Sequence, residues 1–344
     1  NRYAARVKLL VEILPTLAEE KRFALKGGTA INLFERDLPR LSVDIDLTWL
    51  PVGDFANDVR DISAALEAIG ERLRSGPLRL QVQTSGTDAA GVHRLIASRN
   101  RSRVQIETTP VMRGTVHPVR TMRVRPGVEQ TFGFAETQVL DFADLYAGKI
   151  SAALSRQHPR DLFDLQPLLD EGRIDERLWR TFLVYLTCSS KPAAEMLSPQ
   201  EPREFDEIFR AHFQGMTAAP VTAASLLEVR ARLLQRVLEL LDAPSRAFLD
   251  SVEREAPDFT LIGLPRAADL PGVRRKLSNL GQRSAAKRIA DYEQLNALLI
   301  LVDINGESWE FQIESFSTGH ALLTIGFPVR RASLIVPGVL EAAP

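Results

Sequence analysis

The sequence predicts an α/β (α+β) core with a mixed β-sheet, followed by a helical domain and a small β-rich C-terminal module. Strands and helices alternate over roughly the first 130 residues, which is typical of a mixed sheet with flanking helices. From residue 137 onward apolar residues recur at helical spacing, and residues 284–344 contain short β-like segments. We therefore predict three parts, over 1–135, 136–283 and 284–344.

In the first part, predicted helices alternate with predicted strands. Helices are expected before Pro15, over about 29–36 and over 54–74, where apolar residues recur every three to four positions. Strands are expected at 22–26, 42–47, 78–83, 92–98 and 102–108. The first of these strands stops at Gly27-Gly28, and the second alternates strictly between polar and apolar residues.

The remainder of the chain is predicted to form helices first and strands near its end. Helices are predicted over 141–155, 160–170, 175–188, 203–213, 222–242 and 245–254. Near the end, a strand over 297–302, a turn at Asn305-Gly306 and a strand over 309–316 are expected, with two more strands within 320–327 and 333–336.

Composition excludes several classes of protein. The 344 residues carry 43 Lys plus Arg and 44 Asp plus Glu, with one cysteine, Cys188. A single cysteine excludes a disulfide framework or a cysteine-based zinc site and fits a reducing compartment, so a cytoplasmic protein is expected. The sequence lacks any uncharged apolar run of 18 residues, which predicts no contact with a membrane.

Two aspartates on one predicted strand follow a Gly-Gly turn. Residues two apart on a strand project to the same face, so Asp44 and Asp46 lie side by side. Adjacent carboxylates repel unless a cation lies between them, and Mg²⁺ is typically bound by one or two carboxylates plus substrate phosphates. Upstream, Gly27-Gly28 ends a strand and Thr29 opens a helix, where unpaired backbone N–H groups can bind phosphate. The pattern indicates a metal and phosphate site; the alternative is a surface strand with an acidic outer face.

These segments resemble the DNA polymerase β-like nucleotidyltransferases and, more closely, the AbiEii/AbiGii toxin family, the toxin half of type IV toxin–antitoxin pairs. The resemblance rests on two stretches, Lys-Gly-Gly-Thr-Ala-Ile-Asn-Leu over 26–33 and Arg-Leu-Ser-Val-Asp-Ile-Asp-Leu over 40–47. It implies that a nucleoside triphosphate and Mg²⁺, as two ions during catalysis, are bound by Lys26, Gly27, Gly28, Thr29, Asp44 and Asp46.

Two later segments match the family's third and fourth motifs, Asp-x4-Lys at Asp144–Lys149 and Arg-Asp-x-x-Asp at Arg160–Asp164. Lys149 is five residues beyond Asp144 and points partly away from it, and a lysine free of an ion pair could reach triphosphate oxygens. The resemblance implies that Lys149 binds phosphates and that Asp161 is a base or an orienting carboxylate. The alternatives are a solvated helix face for Lys149 and Asp161, and a helix-stabilising pair of Asp164 with Arg160.

Glu107 is the candidate for a third carboxylate, which would bridge metal or deprotonate the acceptor. On the predicted strand it shares a polar face with Arg103. A structural salt bridge to Arg103 or Arg113 is the competing interpretation.

Arginines are concentrated beside this strand. Residues 93–125 contain eight arginines and one acid, a net charge of +7, whereas residues 284–344 carry −3. Such a stretch suits contacts with triphosphate or RNA phosphates, or it is a solvated face. His158, next to Arg160, is the one histidine expected to approach the site.

Together these patterns predict an enzyme that transfers a nucleoside monophosphate to an acceptor hydroxyl. The family resemblance implies growth arrest, a cognate antitoxin, and RNA, specifically the tRNA 3′ end, as the acceptor. The alternatives are transfer to a protein or a small molecule such as an aminoglycoside, and a non-catalytic nucleotide-binding regulator. The sequence predicts no particular oligomeric state.

Overall fold

The computed structural model describes residues 2–88, 91–303, 310–315, 321–326 and 331–336. The chain divides into two compact units, Asn1–Leu295 and Asn296–Pro344. The finer divisions at 135/136 and 283/284 stay predictions.

The first unit is built on a mixed sheet of seven strands in the order β3-β4-β5-β2-β1-β7-β6. The strands are β1 (Phe23–Lys26), β2 (Asp44–Trp49), β3 (Gln81–Asp88), β4 (Gly91–Arg99), β5 (Ser102–Thr108), β6 (Arg120–Arg123) and β7 (Glu136–Val139). β1 is antiparallel to β2, whereas β5 and β7 run parallel to β2 and β1 respectively. The predicted mixed sheet is confirmed.

Helices cover the sheet and then follow one another along the chain. They are α1 (Arg2–Ala18), α2 (Gly27–Ala30), α3 (Phe55–Ser75), α4 (Pro126–Phe132), α5 (Phe142–Arg156), α6 (Pro159–Asp170), α7 (Glu176–Thr187), α8 (Ala193–Leu197), α9 (Phe205–His212), α10 (Ala223–Glu239), α11 (Ala243–Glu253), α12 (Pro271–Gly281) and α13 (Ala285–Asp303). None of these helices is both long and apolar enough to cross a bilayer.

The connection from β1 to β2 places the site. β1 is buried except at its last residue, Lys26. α2 begins immediately, at Gly27, two residues before the predicted start at Thr29, and continues as a π-helical turn over Ile31–Glu35. The chain then returns as β2 beside β1, so the Gly-Gly turn and the paired aspartates lie at the same end of two adjacent strands.

Short elements account for most differences from prediction in the first unit. β6, β7, α4 and α8 have only four to seven residues each, too few for a periodic pattern. α1 continues past Pro15 to Ala18.

The second unit contains three antiparallel strands in the order β10-β9-β8. They are β8 (Glu310–Ser315), β9 (Ala321–Gly326) and β10 (Arg331–Val336), which confirms the three later strands. The predicted strand over 297–302 is wrong, because α13 includes these residues; a continuous apolar run does not distinguish a strand from a buried helix. The predicted turn at Asn305-Gly306 lies outside the described residues.

Candidate active site

Four charged side chains form a row across one face of the sheet. Lys26 on β1 is the register partner of Asp46 on β2, Asp46 is the partner of Glu107 on β5, and Glu107 is the partner of Arg94 on β4. Register partners project to the same face, so the row reads positive, negative, negative, positive. The two inner carboxylates belong to parallel neighbouring strands.

Asp44 extends this acidic surface along β2. Its side chain is 39% exposed and lies 3.5 Å from a guanidinium nitrogen of Arg6 on α1. Burial raises the pKa of Asp44, with Arg6 and Arg160 opposing the shift only in part. Burial also raises the pKa of Asp46, against the opposing charge of Lys26 and with the help of Glu107. Both aspartates therefore carry negative charge that the surrounding protein compensates incompletely.

The donor set at Asp44 and Asp46 fits a divalent oxygen-binding cation. Mg²⁺ prefers carboxylates, water and phosphate oxygens. Among the described residues, no three His, Cys, Asp or Glu side chains form a ready-made metal site. A cation at Asp44 and Asp46 would thus complete its coordination with substrate phosphates or water.

The Gly-Gly turn brings backbone close to these side chains. Gly27 has φ +73°, and a Cβ there would collide with Asp46 Oδ2. A Cβ on Gly28 would collide with the Arg40 guanidinium. A side chain at Gly27 would displace the Asp46 carboxylate and is also disfavoured by the left-handed backbone, and a side chain at Gly28 would displace the Arg40 guanidinium.

Thr29 is directed into the protein. It is fully buried, and its hydroxyl donates to the Asp44 carbonyl oxygen at 2.5 Å and lies 2.9 Å from the Ser42 hydroxyl. Thr29 consequently fixes the start of β2 against α2, and its side chain is occupied by protein contacts.

A second acidic pair, on α6, lies in a network of cations. Asp164 accepts two hydrogen bonds from Arg40, at 2.7 and 2.6 Å, and one from Asn32 at 3.0 Å. It also lies 2.9 Å from Lys149 Nζ. Burial opposes the charged form, but Arg40 and Lys149 lower the pKa of Asp164. Arg40, 124 residues away, therefore holds Asp164 in the place that the alternative gave to a helix-stabilising pair with Arg160.

Asp161 completes this network. It accepts from Lys149 Nζ at 2.9 Å and from Arg156 Nε at 2.6 Å. Lys149 and Arg156 outweigh burial and lower the pKa of Asp161 far below its ordinary value. Burial alone would lower the pKa of Lys149, but Asp164 and Asp161 raise it. The expectation of a Lys149 free of an ion pair is wrong, and the cations around Asp161 favour its charged form, which makes it a weaker proton acceptor.

Asp144 stabilises a loop. It is fully buried and accepts from the backbone N–H groups of Val116 and His117 at 2.8 and 2.9 Å. The Tyr185 hydroxyl donates to it at 3.0 Å. Asp144 therefore orders the segment before β6.

Glu107 is held by neighbours on the sheet. It accepts from Arg94 at 3.0 Å and from Gln105 at 2.7 Å. Arg113, one of its expected partners, pairs instead with Asp58 at 2.8 Å in a buried site. Arg103, the other, is exposed, and its carbonyl accepts from Arg6 Nε at 2.9 Å. The salt bridge of Glu107 is real, but its partner is Arg94.

A cleft of about 130 Å³ lies between the two acidic pairs. We call it the central cleft; its lining residues are Gly28, Arg40, Ser42, Val43, Asp44, Asp46, Lys149, Arg156, His158, Arg160, Asp161 and Met216. The structure thus brings residues of the two matched stretches, 26–33 and 40–47, together with residues at the junction between α5 and α6. Sequence reasoning missed the contributions of Arg40, Arg156 and Met216; only Arg40 carried a signal, as the first residue of the second matched stretch.

His158 lies at this junction. Its Nδ1 accepts from the backbone N–H of Arg160 at 3.1 Å and so caps α6, which leaves the proton on Nε2. Burial lowers the pKa of His158 to about 4. His158 is therefore neutral at physiological pH and adds a hydrogen-bond donor without charge to the central cleft.

The basic stretch is largely neutralised within the protein. Five of its eight arginines are ion-paired, as Arg94–Glu107, Arg99–Glu12, Arg113–Asp58, Arg120–Glu35 and Arg123–Glu136. These pairs leave a smaller basic surface than the composition suggested.

Another groove, of about 210 Å³, lies between α6 and α10. Leu168, Leu169 and Ile174 line it together with Arg232 and Arg236. It contains none of the predicted site residues, so the chemistry belongs to the central cleft.

The cleft combines three chemical capacities. Asp44 and Asp46 can bind a divalent cation, the backbone at Gly28 can approach an anion closely, and the cationic side chains of Arg40, Lys149, Arg156 and Arg160 also line the cleft. This combination suits transfer of a phosphorus-containing group.

Residues 8–273 match the sequence model of the family described as "Nucleotidyl transferase AbiEii toxin, Type IV TA system". The fold is similar to that of MenT4, a nucleotidyltransferase toxin from Mycobacterium tuberculosis H37Rv, with a TM-score of 0.54 and 18% sequence identity. The similarity covers 82% of this chain and 94% of MenT4. No curated protein sequence matches the chain at a significant level.

Proposed function

The chain belongs to the AbiEii family of nucleotidyltransferase toxins, and from this premise we propose that it transfers a nucleoside monophosphate to RNA, at the 3′ end of tRNA. The observation that carries the proposal is the under-compensated pair Asp44 and Asp46, beside a Gly27 backbone approached too closely for any side chain. Transfer would arrest growth, and a cognate antitoxin would oppose it in the cytoplasm.

The reaction joins the acceptor oxygen to the α-phosphorus of a nucleoside triphosphate. The bond from the α-phosphorus to the oxygen bridging the α- and β-phosphates breaks, and pyrophosphate leaves with that electron pair. Mg²⁺ bound at Asp44 and Asp46 would neutralise charge that develops on the α-phosphate and the leaving group.

The protein's own residues would divide the remaining tasks. Gly27 and Gly28 admit the phosphates to the backbone, and Lys26 balances the carboxylates on the sheet face. We assign the proton of the attacking hydroxyl to Glu107, in the same row as Asp46. The alternative base, Asp161, is less suited because Lys149 and Arg156 lower its pKa.

Each of the four labelled ribonucleoside triphosphates, incubated with total tRNA, total protein and aminoglycosides, tests this proposal. Label on tRNA that depends on Mg²⁺ supports it, and sequencing of RNA 3′ ends after brief induction would give acceptor and nucleotide together. Label on protein or aminoglycoside alone would show that the enzyme transfers the nucleotide to that acceptor and not to RNA. No transfer to any acceptor, with nucleotide binding intact, would favour a regulator. Co-expression of the adjacent gene product should restore growth if it is the antitoxin.

A further inference from the structure

We propose that Arg156, rather than Lys149, makes the main side-chain contact with the triphosphate, and that Asp161 positions it. The inference rests on the proposed function only in requiring that the central cleft binds a triphosphate. The family motifs direct attention to Lys149, and the geometry points to a different residue at the end of the same helix.

Lys149 is already in contact with two carboxylates of the protein. An ammonium group has three N–H donors, and Nζ lies 2.9 Å from both Asp161 and Asp164. Its side chain is only 6% exposed. A triphosphate that bound Lys149 directly would have to compete with two buried carboxylates, and any carboxylate it displaced would be left buried and less well compensated.

Arg156 differs from Lys149 in both its exposure and its available donors. It is the last residue of α5, its side chain is 64% exposed, and it lines the central cleft. Its Nε and Nη2 donate to the two oxygens of Asp161 at 2.6 and 3.0 Å. A guanidinium has five N–H donors, so three, including both on Nη1, remain available for a ligand.

Asp161 makes this arrangement rigid. Its own side chain is 1% exposed, and Lys149 binds it from the protein interior. One edge of the Arg156 guanidinium is therefore fixed by a buried carboxylate, and the other edge is presented to the cleft. A planar guanidinium matches phosphate oxygens in pairs, which a lysine cannot do.

The surroundings of Arg156 select a polyanion. His158, Arg160, Asp44 and Asp46 line the same cleft, and Arg156 is close enough to Asp46 for their charges to interact. A triphosphate carrying a divalent cation presents positive charge to the aspartates and phosphate oxygens to the arginine. The chemical class of the ligand is therefore a metal-complexed triphosphate.

Binding of inorganic tripolyphosphate in Mg²⁺ tests the inference without reference to base or acceptor. By titration calorimetry, Arg156→Ala should weaken binding by about 10–100-fold, the usual range for charge-assisted contacts. Arg275→Ala, at an exposed arginine on α12, is the matched control and should bind like the wild type. Arg156→Lys should bind with intermediate affinity, because it keeps the charge and loses the paired geometry.

Asp161→Asn tests the positioning role. It should weaken tripolyphosphate binding less than Arg156→Ala and raise the KM for the nucleotide more than it lowers kcat. Thermal unfolding of every variant separates these effects from misfolding. If Asp161→Asn does not fold, the comparison of Arg156→Ala with Arg156→Lys still decides the inference.

Equal affinity of the wild type and a folded Arg156→Ala, or no binding by either, would overturn the inference. So would loss of binding in a folded Lys149→Gln while Arg156→Ala binds normally. Transfer to tRNA with an unchanged nucleotide KM in Arg156→Ala would reject the inference and leave the proposed function standing. Weakened tripolyphosphate binding in Arg156→Ala, together with no labelling of tRNA by the wild type, would support the inference and reject the proposed function.

Discussion

Two pairs of carboxylates lie at the central cleft, three of the four in its lining and Asp164 buried behind it, and their electrostatics are opposite. Asp44 and Asp46 on β2 have raised pKa values because burial is only partly opposed by Arg6 and Lys26. We call them the strand carboxylates. Asp161 and Asp164 on α6, the helix carboxylates, have lowered pKa values.

The difference lies in the number and closeness of cations. The helix carboxylates are each in contact with Lys149, and each also receives two hydrogen bonds from an arginine. Asp44 has one ion pair, at 3.5 Å. A carboxylate satisfied by the protein stabilises structure, whereas one left under-compensated is ready for a cation from outside. The two pairs therefore differ in how far the protein compensates their charge, although both lie at the cleft.

The largest expected effect is on activity at the strand carboxylates. Asp46→Asn should lower nucleotide transfer by about 10³-fold or more, because it removes half of the protein's ligands for the cation. Thermal stability should be unchanged or higher, since the fold disfavours the charged form of Asp46. Activity assays and calorimetry measure the two effects. The exposed Asp206→Asn on α9 is the control, and a destabilised Asp46→Asn would contradict this interpretation.

The helix carboxylates should show the reverse order of effects. Asp164→Asn leaves Arg40 and Lys149 buried with less compensation and should lower the free energy of unfolding by about 3–5 kcal/mol. Urea unfolding at pH 7 measures this change, again against Asp206→Asn. A change below about 1 kcal/mol, the range of exposed pairs, would show that the network contributes little.

The glycine beside Asp46 provides a smaller and more selective test. Gly27→Ala and Gly263→Ala both place a side chain at positive φ, +73° and +69°, and each should cost about 1–2 kcal/mol. Nothing lies within 4 Å of a Cβ at Gly263, whereas one at Gly27 collides with Asp46. Only Gly27→Ala should therefore lower transfer, by about 10²-fold for a displaced carboxylate. Equal activity in the two variants would show that the close approach of Gly27 to Asp46 has no role in transfer.

The smallest effect concerns His158 and pH. Its pKa is about 4 in the folded protein and about 6.5 when unfolded, so between these values the unfolded state binds the extra proton. Stability should consequently fall as pH decreases from about 6.5 to 4. His158→Asn keeps an N-capping side chain and should make this dependence shallower, measured by urea unfolding at pH 7 and pH 5. Parallel pH dependence in both proteins would contradict the assignment.

The local parts of this site could be predicted from sequence. The Gly27-Gly28 turn, the face shared by Asp44 and Asp46, and helices near α5 and α6 all follow from patterns within a few residues. The pairing of Arg40 with Asp164 does not, because 124 residues separate them and both types are ordinarily solvated. Arg156 resembles any basic residue in the last turn of a helix. Only tertiary packing reveals that a buried carboxylate holds it.

Segment 212–217 bears on when the enzyme can become active. The Met216 carbonyl accepts from Leu41 N–H at 2.9 Å, and the His212 carbonyl accepts from Arg160 Nε at 3.0 Å. The central cleft is therefore complete only after the chain beyond residue 217 has been made. At about 5–20 residues per second, Asp46 emerges from the ribosome roughly 10–30 s before Met216 does. A chain made in this order completes the central cleft only after this segment has emerged. Stalled nascent chains ending on either side of this segment should therefore differ in nucleotide transfer, and equal activity in the two would contradict this order.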